Sequence, residues 1–231
     1  MKSVFLAGGS GLIGQRMIPE LVGEGWRVVA TTRSAEKMRD LERLGAEPVV
    51  VNFLDADAAT EAVAAAKPDV IIHQLTSLPD RLEPSLLQEA LQRNAEIRDV
   101  GTRNLCKAAI MVGAKRLITQ SIAFAYQPGP APFGEDWALD PKAWGVISLE
   151  KQATSGNFTG VVLRYGHFYG PDTGFDRPTR KGSIHIHEAA RAACLAASAG
   201  PAGIYNIAED DGALDVSKAL TLLGFQARKL E

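Results

Sequence analysis

Cysteine is scarce: Cys106 and Cys194 are the two in 231 residues. They stand far apart in alanine-rich, helix-like surroundings, which suits reduced core thiols and argues against a disulfide framework. No apolar run approaches the roughly 20 residues needed to span a bilayer. At the N-terminus Lys2 precedes only the stretch Val4 to Ala7 before Gly8 and Gly9 interrupt it, too short for a signal-peptide core. Neither charge is in excess: Lys and Arg number 25 against 27 Asp and Glu, a net charge of -2. That balance argues against the basic footprint of a nucleic-acid-binding protein. The expectation is a reduced, cytoplasmic protein with neither membrane nor nucleic-acid partners. One domain is expected at about 150 residues per domain, and a chain of this length needs no disulfide or metal staple.

What is present alternates between strand and helix patterns. Val4 to Ala7 reads as a buried strand, and Gly11 to Glu24 carries Leu12, Ile13, Ile18, Leu21 and Val22 at helical spacing. Trp26 to Thr31 is a second strand. Ser34 looks like an N-cap for a helix through Met38, Leu41 and Leu44 that Gly45 ends. Pro48 to Phe53, Asp69 to Gln74, Arg116 to Thr119, Thr159 to Leu163 and Gly203 to Ile207 read as further strands. Ala56 to Ala66 reads as a helix stopped before Pro68, and Leu86 to Val112 as a long helical region. The segments 127–141 and 170–182 read as loops. Alternation of this kind implies βαβ units closing a parallel sheet with helices on both faces.

Gly8-Gly9-Ser10-Gly11-Leu12-Ile13-Gly14 directly follows a strand and opens a helix. In such a loop one glycine makes the tight turn, one lets the backbone approach a pyrophosphate, and one lets helix pack on strand. The helix N-terminus adds free N–H groups and a positive partial charge. In this context the pattern points to a dinucleotide. The fold class is therefore α/β, a Rossmann-type doubly wound parallel sheet, with a small, shortened C-terminal substrate region. A ribose-binding acid is expected about 20 residues after the glycines. Thr31, Thr32, Arg33 and Ser34 stand there instead. Arg33 can fork onto a 2′-phosphate and Ser34 can add a hydroxyl, so NADP(H) is favoured over NAD(H). Asp55, after the third strand, suits either an adenine amino group or a helix N-cap.

These residues resemble the extended short-chain dehydrogenases/reductases, the NAD-dependent epimerase/dehydratase group. The resemblance rests on the glycine loop, Val70 to Leu75, Gly101-Thr102-Arg103-Asn104-Leu105, Leu163 to Pro171, Ile184 to Arg191 and Tyr205-Asn206-Ile207. It implies a cofactor lined by Gln74, Leu75, Thr76, Tyr165 and His167, a small-molecule substrate and a homodimer. One Rossmann-type domain over 1-231 is implied, with short substrate-side and C-terminal additions at 171-186 and 208-231.

The departures bear on function. The family's Tyr-x-x-x-Lys supplies an acid/base tyrosine and a lysine that lowers its pKa. None of Tyr126, Tyr165, Tyr169 and Tyr205 has a lysine four residues on. In the segment where the pair belongs, Trp144 and Ser148 take its places in one register, and Lys142 and Val146 in the other, which matches Glu150. Arg98 stands where the resemblance leads to an asparagine, and His167 where it leads to another. Ser121, Tyr126 and His167 remain as catalytic candidates, each with a plain structural reading beside it. Trp144 also occupies a candidate position. His185 and His187 alternate on a strand-like stretch, but no partner shows metal-ligand spacing. Arg177, Arg180 and Lys181 read as solvated charges or as contacts to an anion.

Three functions fit these residues. One is an NADP(H)-dependent oxidoreductase acting on a small carbonyl without the usual relay. Another is a non-catalytic dinucleotide-binding regulator or redox sensor. The third is a sugar-nucleotide epimerase or dehydratase, which the short stretch Asp172 to Ser183 disfavours.

Overall fold

The computed structural model describes residues 2–78 and 87–230. Leu86, the expected start of the long helix, lies outside them. Nine strands and seven α-helices follow one another among the described residues. The first half runs β1 (Ser3–Ala7), α1 (Leu12–Gly23), β2 (Arg27–Thr32), α2 (Met38–Arg43), β3 (Glu47–Val50), α3 (Ala56–Ala66) and β4 (Val70–His73). The second half runs α4 (Leu87–Glu96), α5 (Thr102–Val112), β5 (Arg116–Ile122), α6 (Trp144–Ala153), β6 (Thr159–Tyr165), β7 (His167–Tyr169), β8 (Ser183–His185), α7 (Ile186–Ala196) and β9 (Gly203–Ile207).

Seven strands form one parallel sheet in the order β3-β2-β1-β4-β5-β6-β9. The order reverses between β1 and β4, and a crevice for ligands opens beyond the strand ends at such a switch point. Parallel strands covered on both faces must be apolar throughout. Accordingly Val4, Phe5, Leu6 and Ala7 of β1 are all buried. Side chains alternate between two cores. Val4 and Leu6 join Met17, Ile18, Tyr165 and the alanines of α7 on one face. Phe5 and Ala7 join Phe53, Val63 and Leu105 on the other. Cys106 and Cys194 are free, buried thiols, as expected.

Boundaries moved where side chains capture the backbone. The third strand ends at Val50 rather than Phe53, because Asn52 Oδ1 accepts from Leu54 N and starts a turn. β5 runs three residues further than Thr119 and carries Ser121 inside the sheet. The long helical region is two α-helices joined by a π turn at Ile97–Gly101. His185 and His187 do not share a strand face. The strand stops at His185, whose Nδ1 accepts from His187 N and caps α7. The alanine-rich run that follows favours helix over strand.

Beyond β9 the C-terminal tail is tied to α7 by a buried carboxylate. Glu188 accepts from Arg191 and from both the backbone and side chain of Arg228. Burial pushes the Glu188 carboxyl up, but the two arginines outweigh it and hold it at about 2. A depressed folded-state pKa gives stability that is present above the ordinary carboxylate range and is lost as pH falls toward 2. Glu188→Gln is therefore expected to lower the melting temperature at pH 7 by about 5 °C, from a loss of about 2 kcal/mol. Thermal melts across pH should show that deficit shrinking as the solution is acidified below about pH 4.5.

Candidate functional site

The glycine loop lies at the switch point, between the ends of β1, β2 and β4. Gly8 has φ +89, and a Cβ there would sit 2.7 Å from the Gln74 carbonyl oxygen. At Gly14 a Cβ would come within 2.5 Å of the Gly8 carbonyl oxygen. Side chains pin the loop from β2: Thr31 Oγ1 accepts from Gly8 N at 3.1 Å, and Ser10 Oγ donates to Thr32 Oγ1 at 3.1 Å. Helix α1, opening at Leu12 and Ile13, has Gly11 as N-cap with no side-chain cap and no acid in its first turn. Its amides and the positive end of its dipole thus face an anion site. A cradle this close to neighbouring backbone, with donors left open, fits a pyrophosphate.

The other cofactor candidates fall into two groups. Thr32 is buried and spends its hydroxyl on Ser10 and on Ser34 N. Arg33 is exposed just past β2 and makes no hydrogen bond or ion pair to the described residues. Asp55 acts as an N-cap, its Oδ1 accepting from Asp57 N and Ala58 N, and its Oδ2 stays open. Gln74 is buried with neither amide atom partnered among the described residues. Leu75 and Thr76 are half-buried at the end of β4. Tyr165 is fully buried in the core beneath α1 and α7, and its hydroxyl donates to the Ala189 carbonyl at 3.1 Å.

Two of the three catalytic candidates share one buried network. Ser121 Oγ donates to Glu150 Oε1 at 2.6 Å. Arg164 holds Glu150 in a two-pronged pair, Nε to Oε1 at 2.8 Å and Nη2 to Oε2 at 2.6 Å. Arg164 Nη1 also donates to the Tyr126 hydroxyl at 2.9 Å, and that hydroxyl donates to Asn206 Oδ1 at 2.7 Å. Burial raises the Tyr126 pKa despite the nearby guanidinium, so the phenol keeps its proton. His167 stands apart, its ring stacked on Phe124 with centroids 4.4 Å apart. Burial and then Arg180 lower its pKa, which leaves a neutral imidazole at pH 7.

Helix α6 shows what occupies the relay positions. Val146 and Glu150, one turn apart, point inward. Ser148, on another face, donates to Asp99 of the π turn, and Trp144 is exposed. Lys142 lies exposed before the helix starts. Neither register supplies a tyrosine–lysine pair. Sequence reading used Glu150 only to set a register and missed its pairing with Arg164. The available signal was an arginine inside the otherwise apolar strand Val161 to Tyr165.

A separate cleft of about 1040 Å³ opens beside β7, lined by residues that include Tyr169, Pro171, Arg177, His185 and Lys229. It shares no lining residue with the glycine loop. Arg16 of α1 bonds its rim through the Pro171 carbonyl and Asp172.

Residues 8–157 match the NAD(P)H-binding family. The chain is 35% identical over 241 residues to the 3-diazoavenalumate denitrifying reductase of a Streptomyces species, covering 91% of this chain and 77% of that protein. It is 24% identical over 250 residues to a farnesyl-dihydroquinoline-oxide ketoreductase of Stigmatella aurantiaca, covering 95% and 71%. Among solved structures, UDP-glucose 4-epimerase of Thermotoga maritima superposes with a TM-score of 0.81 at 16% identity, over 99% of this chain and 94% of that one. MoeE5 in complex with UDP-glucuronic acid and NAD superposes at 0.79 with 20% identity, over 99% and 94%. At these identities the two structures share the fold. Gly14→Ala is expected to cost about 1–3 kcal/mol by overpacking and to abolish dinucleotide binding, as read by NADPH fluorescence titration.

Proposed function

The chain belongs to the NAD(P)H-binding short-chain dehydrogenases/reductases, and on that premise we propose an NADP(H)-dependent reductase whose acceptor needs no proton from the enzyme. NADPH, when bound, supplies the hydride. The glycine loop would hold its pyrophosphate and Arg33, with Ser34, its 2′-phosphate. Arg33 supports this preference because it is exposed and unpaired among the described residues, at the place where an NAD site carries an acid.

The observation that carries the reading is that both candidate hydroxyls are committed and the candidate imidazole is neutral. Ser121 donates its hydroxyl hydrogen bond to Glu150, Tyr126 donates its own to Asn206, and His167 is neutral. A small carbonyl, the acceptor to which the sequence pointed, gains hydride at carbon and must gain a proton at oxygen. An aryl diazonium ion gains hydride at its terminal nitrogen, becomes a neutral diazene and loses N2, with no proton taken up. The relative named as a 3-diazoavenalumate denitrifying reductase supports that second class. The exposed Leu91, Ile110, Met111 and Ile147 on α4, α5 and α6 support a homodimer joined through these helices. In the same reading 171-186 and 208-231 are short additions to one domain.

Two measurements test the proposal. NADPH at 100-fold its dissociation constant should stabilise the protein by about 2.7 kcal/mol, a shift of about 5–10 °C. NADH should shift it less, and Arg33→Ala should weaken NADPH by about 10- to 100-fold. In an NADPH-oxidation panel of benzenediazonium, aldehydes, ketones and quinones, the diazonium should turn over with a flat profile between about pH 5.5 and 7.5. Ser121→Ala and Tyr126→Phe should keep most of that rate. Faster carbonyl turnover that depends on Tyr126 or His167 would restore an enzyme proton donor. Tight NADPH binding with no turnover at all would favour the regulator.

A further inference from the structure

Among the described residues Arg98 is a cation with no counter-charge bonded to it, on the helix face that looks at the end of β4. Its neighbours one turn away on each side define that face. Asn94 Oδ1 accepts from Ser77 N at 2.9 Å, and Thr102 Oγ1 meets His73 Nε2 at 2.8 Å. The next residue, Asp99, turns instead to α6, where Ser148 and Gln152 donate to its carboxylate. Arg98 is half-buried, and among the described residues its guanidinium makes no hydrogen bond or ion pair.

Its surroundings do not neutralise it. Arg98 helps burial depress the pKa of His73, so that imidazole is neutral. Burial brings the guanidinium itself down to about 10, against the opposing field of Glu150, so it stays charged at neutral pH. Glu150 is already paired in two-pronged fashion with Arg164. The Ser121–Glu150–Arg164 cluster therefore sums to zero, and among the described residues Arg98 is left as the surplus charge. A half-buried cation without a partner is costly, and such an arrangement marks a site where a ligand brings the opposite charge.

We propose that Arg98 recognises a carboxylate on the substrate, so that the hydride acceptor is an organic monoacid held by its carboxylate end. The planar guanidinium fork matches a carboxylate in two-pronged geometry, and one surplus positive charge matches one negative charge. The position agrees with a ligand role: Asn94 and Thr102 on the same face bond Ser77 and His73 around the end of β4, and Glu150 acts on the guanidinium from the Ser121 side. This inference rests on the reductase reading for the identity of its pocket, but its test does not use turnover.

The experiment is calorimetric binding of benzoate, cinnamate and 5-phenylpentadienoate, each against its neutral amide, to the full chain saturated with NADP⁺. The expected result is that at least one acid binds about tenfold or more tightly than its amide, the loss of a charge-assisted bond being of that order. Arg98→Met should erase the preference while leaving amide binding and NADP⁺ affinity unchanged, and Arg98→Lys should restore part of it. If Arg98→Met does not fold, Arg98→Gln takes its place in the same titration. The proposal is overturned if no acid is preferred over its amide, or if Arg98→Met retains the preference. It is also overturned if Arg98→Met weakens NADP⁺ as much as Arg33→Ala does, since the charge would then serve the cofactor. A carboxylate preference in a protein that turns nothing over would sink the reductase reading and leave carboxylate recognition by Arg98 standing, with the acid as a ligand rather than a hydride acceptor.

Discussion

The ion pair between Glu150 and Arg164 organises the half of the molecule built on β5, β6 and β9. Both side chains are almost wholly buried, where two charges survive only if their mutual attraction and further hydrogen bonds offset the loss of water. Arg164 meets that condition with four hydrogen bonds: two to Glu150, one to Tyr126 and one to the Glu135 carbonyl. Glu135 in turn accepts from Asn206 N, and Asn206 donates to the Phe133 and Asp215 carbonyls. One arginine thus ties β5, α6, β6, β9 and the loop before α6 into a single polar network. Fully satisfied networks of this kind are rigid.

That network also limits the chemistry. A proton relay needs a hydroxyl free to give its proton to the reacting atom. Here the Ser121 hydroxyl is held by the carboxylate that neutralises Arg164, and Val146 fills the inward position one turn earlier on α6. The space beside β5 is spent on structure. What remains at the strand ends is a glycine cradle, Arg33 and Arg98 unpaired among the described residues, and a neutral His167 stacked on Phe124. Such a site is equipped to bind and orient more than to exchange protons.

The cofactor half depends on contact distances rather than charge. Gly8 and Gly14 bring the loop so near to the Gln74 carbonyl and to itself that side chains there would overlap backbone atoms. Thr31 and Ser10 then pin the loop to β2. The π turn at Ile97–Gly101 adjusts the long helix at the same level of the fold, with Gly101 packed toward Leu75. π turns of this sort recur at functional sites, and this one carries Arg98.

Much of this was legible in the residues. The glycine spacing after an apolar strand, the alternation of strands and helices, the arginine in place of a ribose-binding acid and the missing tyrosine–lysine pair are local patterns. They can be read because a turn, a strand face or a helix start is decided by residues close together in the chain. The pairing of Glu150 with Arg164 and Ser121, at separations of 14 and 29 residues, was not legible. Nor was the inward turn of Tyr165 toward Ala189, the capping by His185 that ends a strand and begins a helix, or the isolation of Arg98. A side chain's partner depends on which elements the sheet order brings side by side, and a charge is known to lack one only after its neighbours are in place. The sequence by itself determined the fold and the close glycine turn after β1; tertiary packing decided which polar groups are spent on each other and which stay unpaired among the described residues.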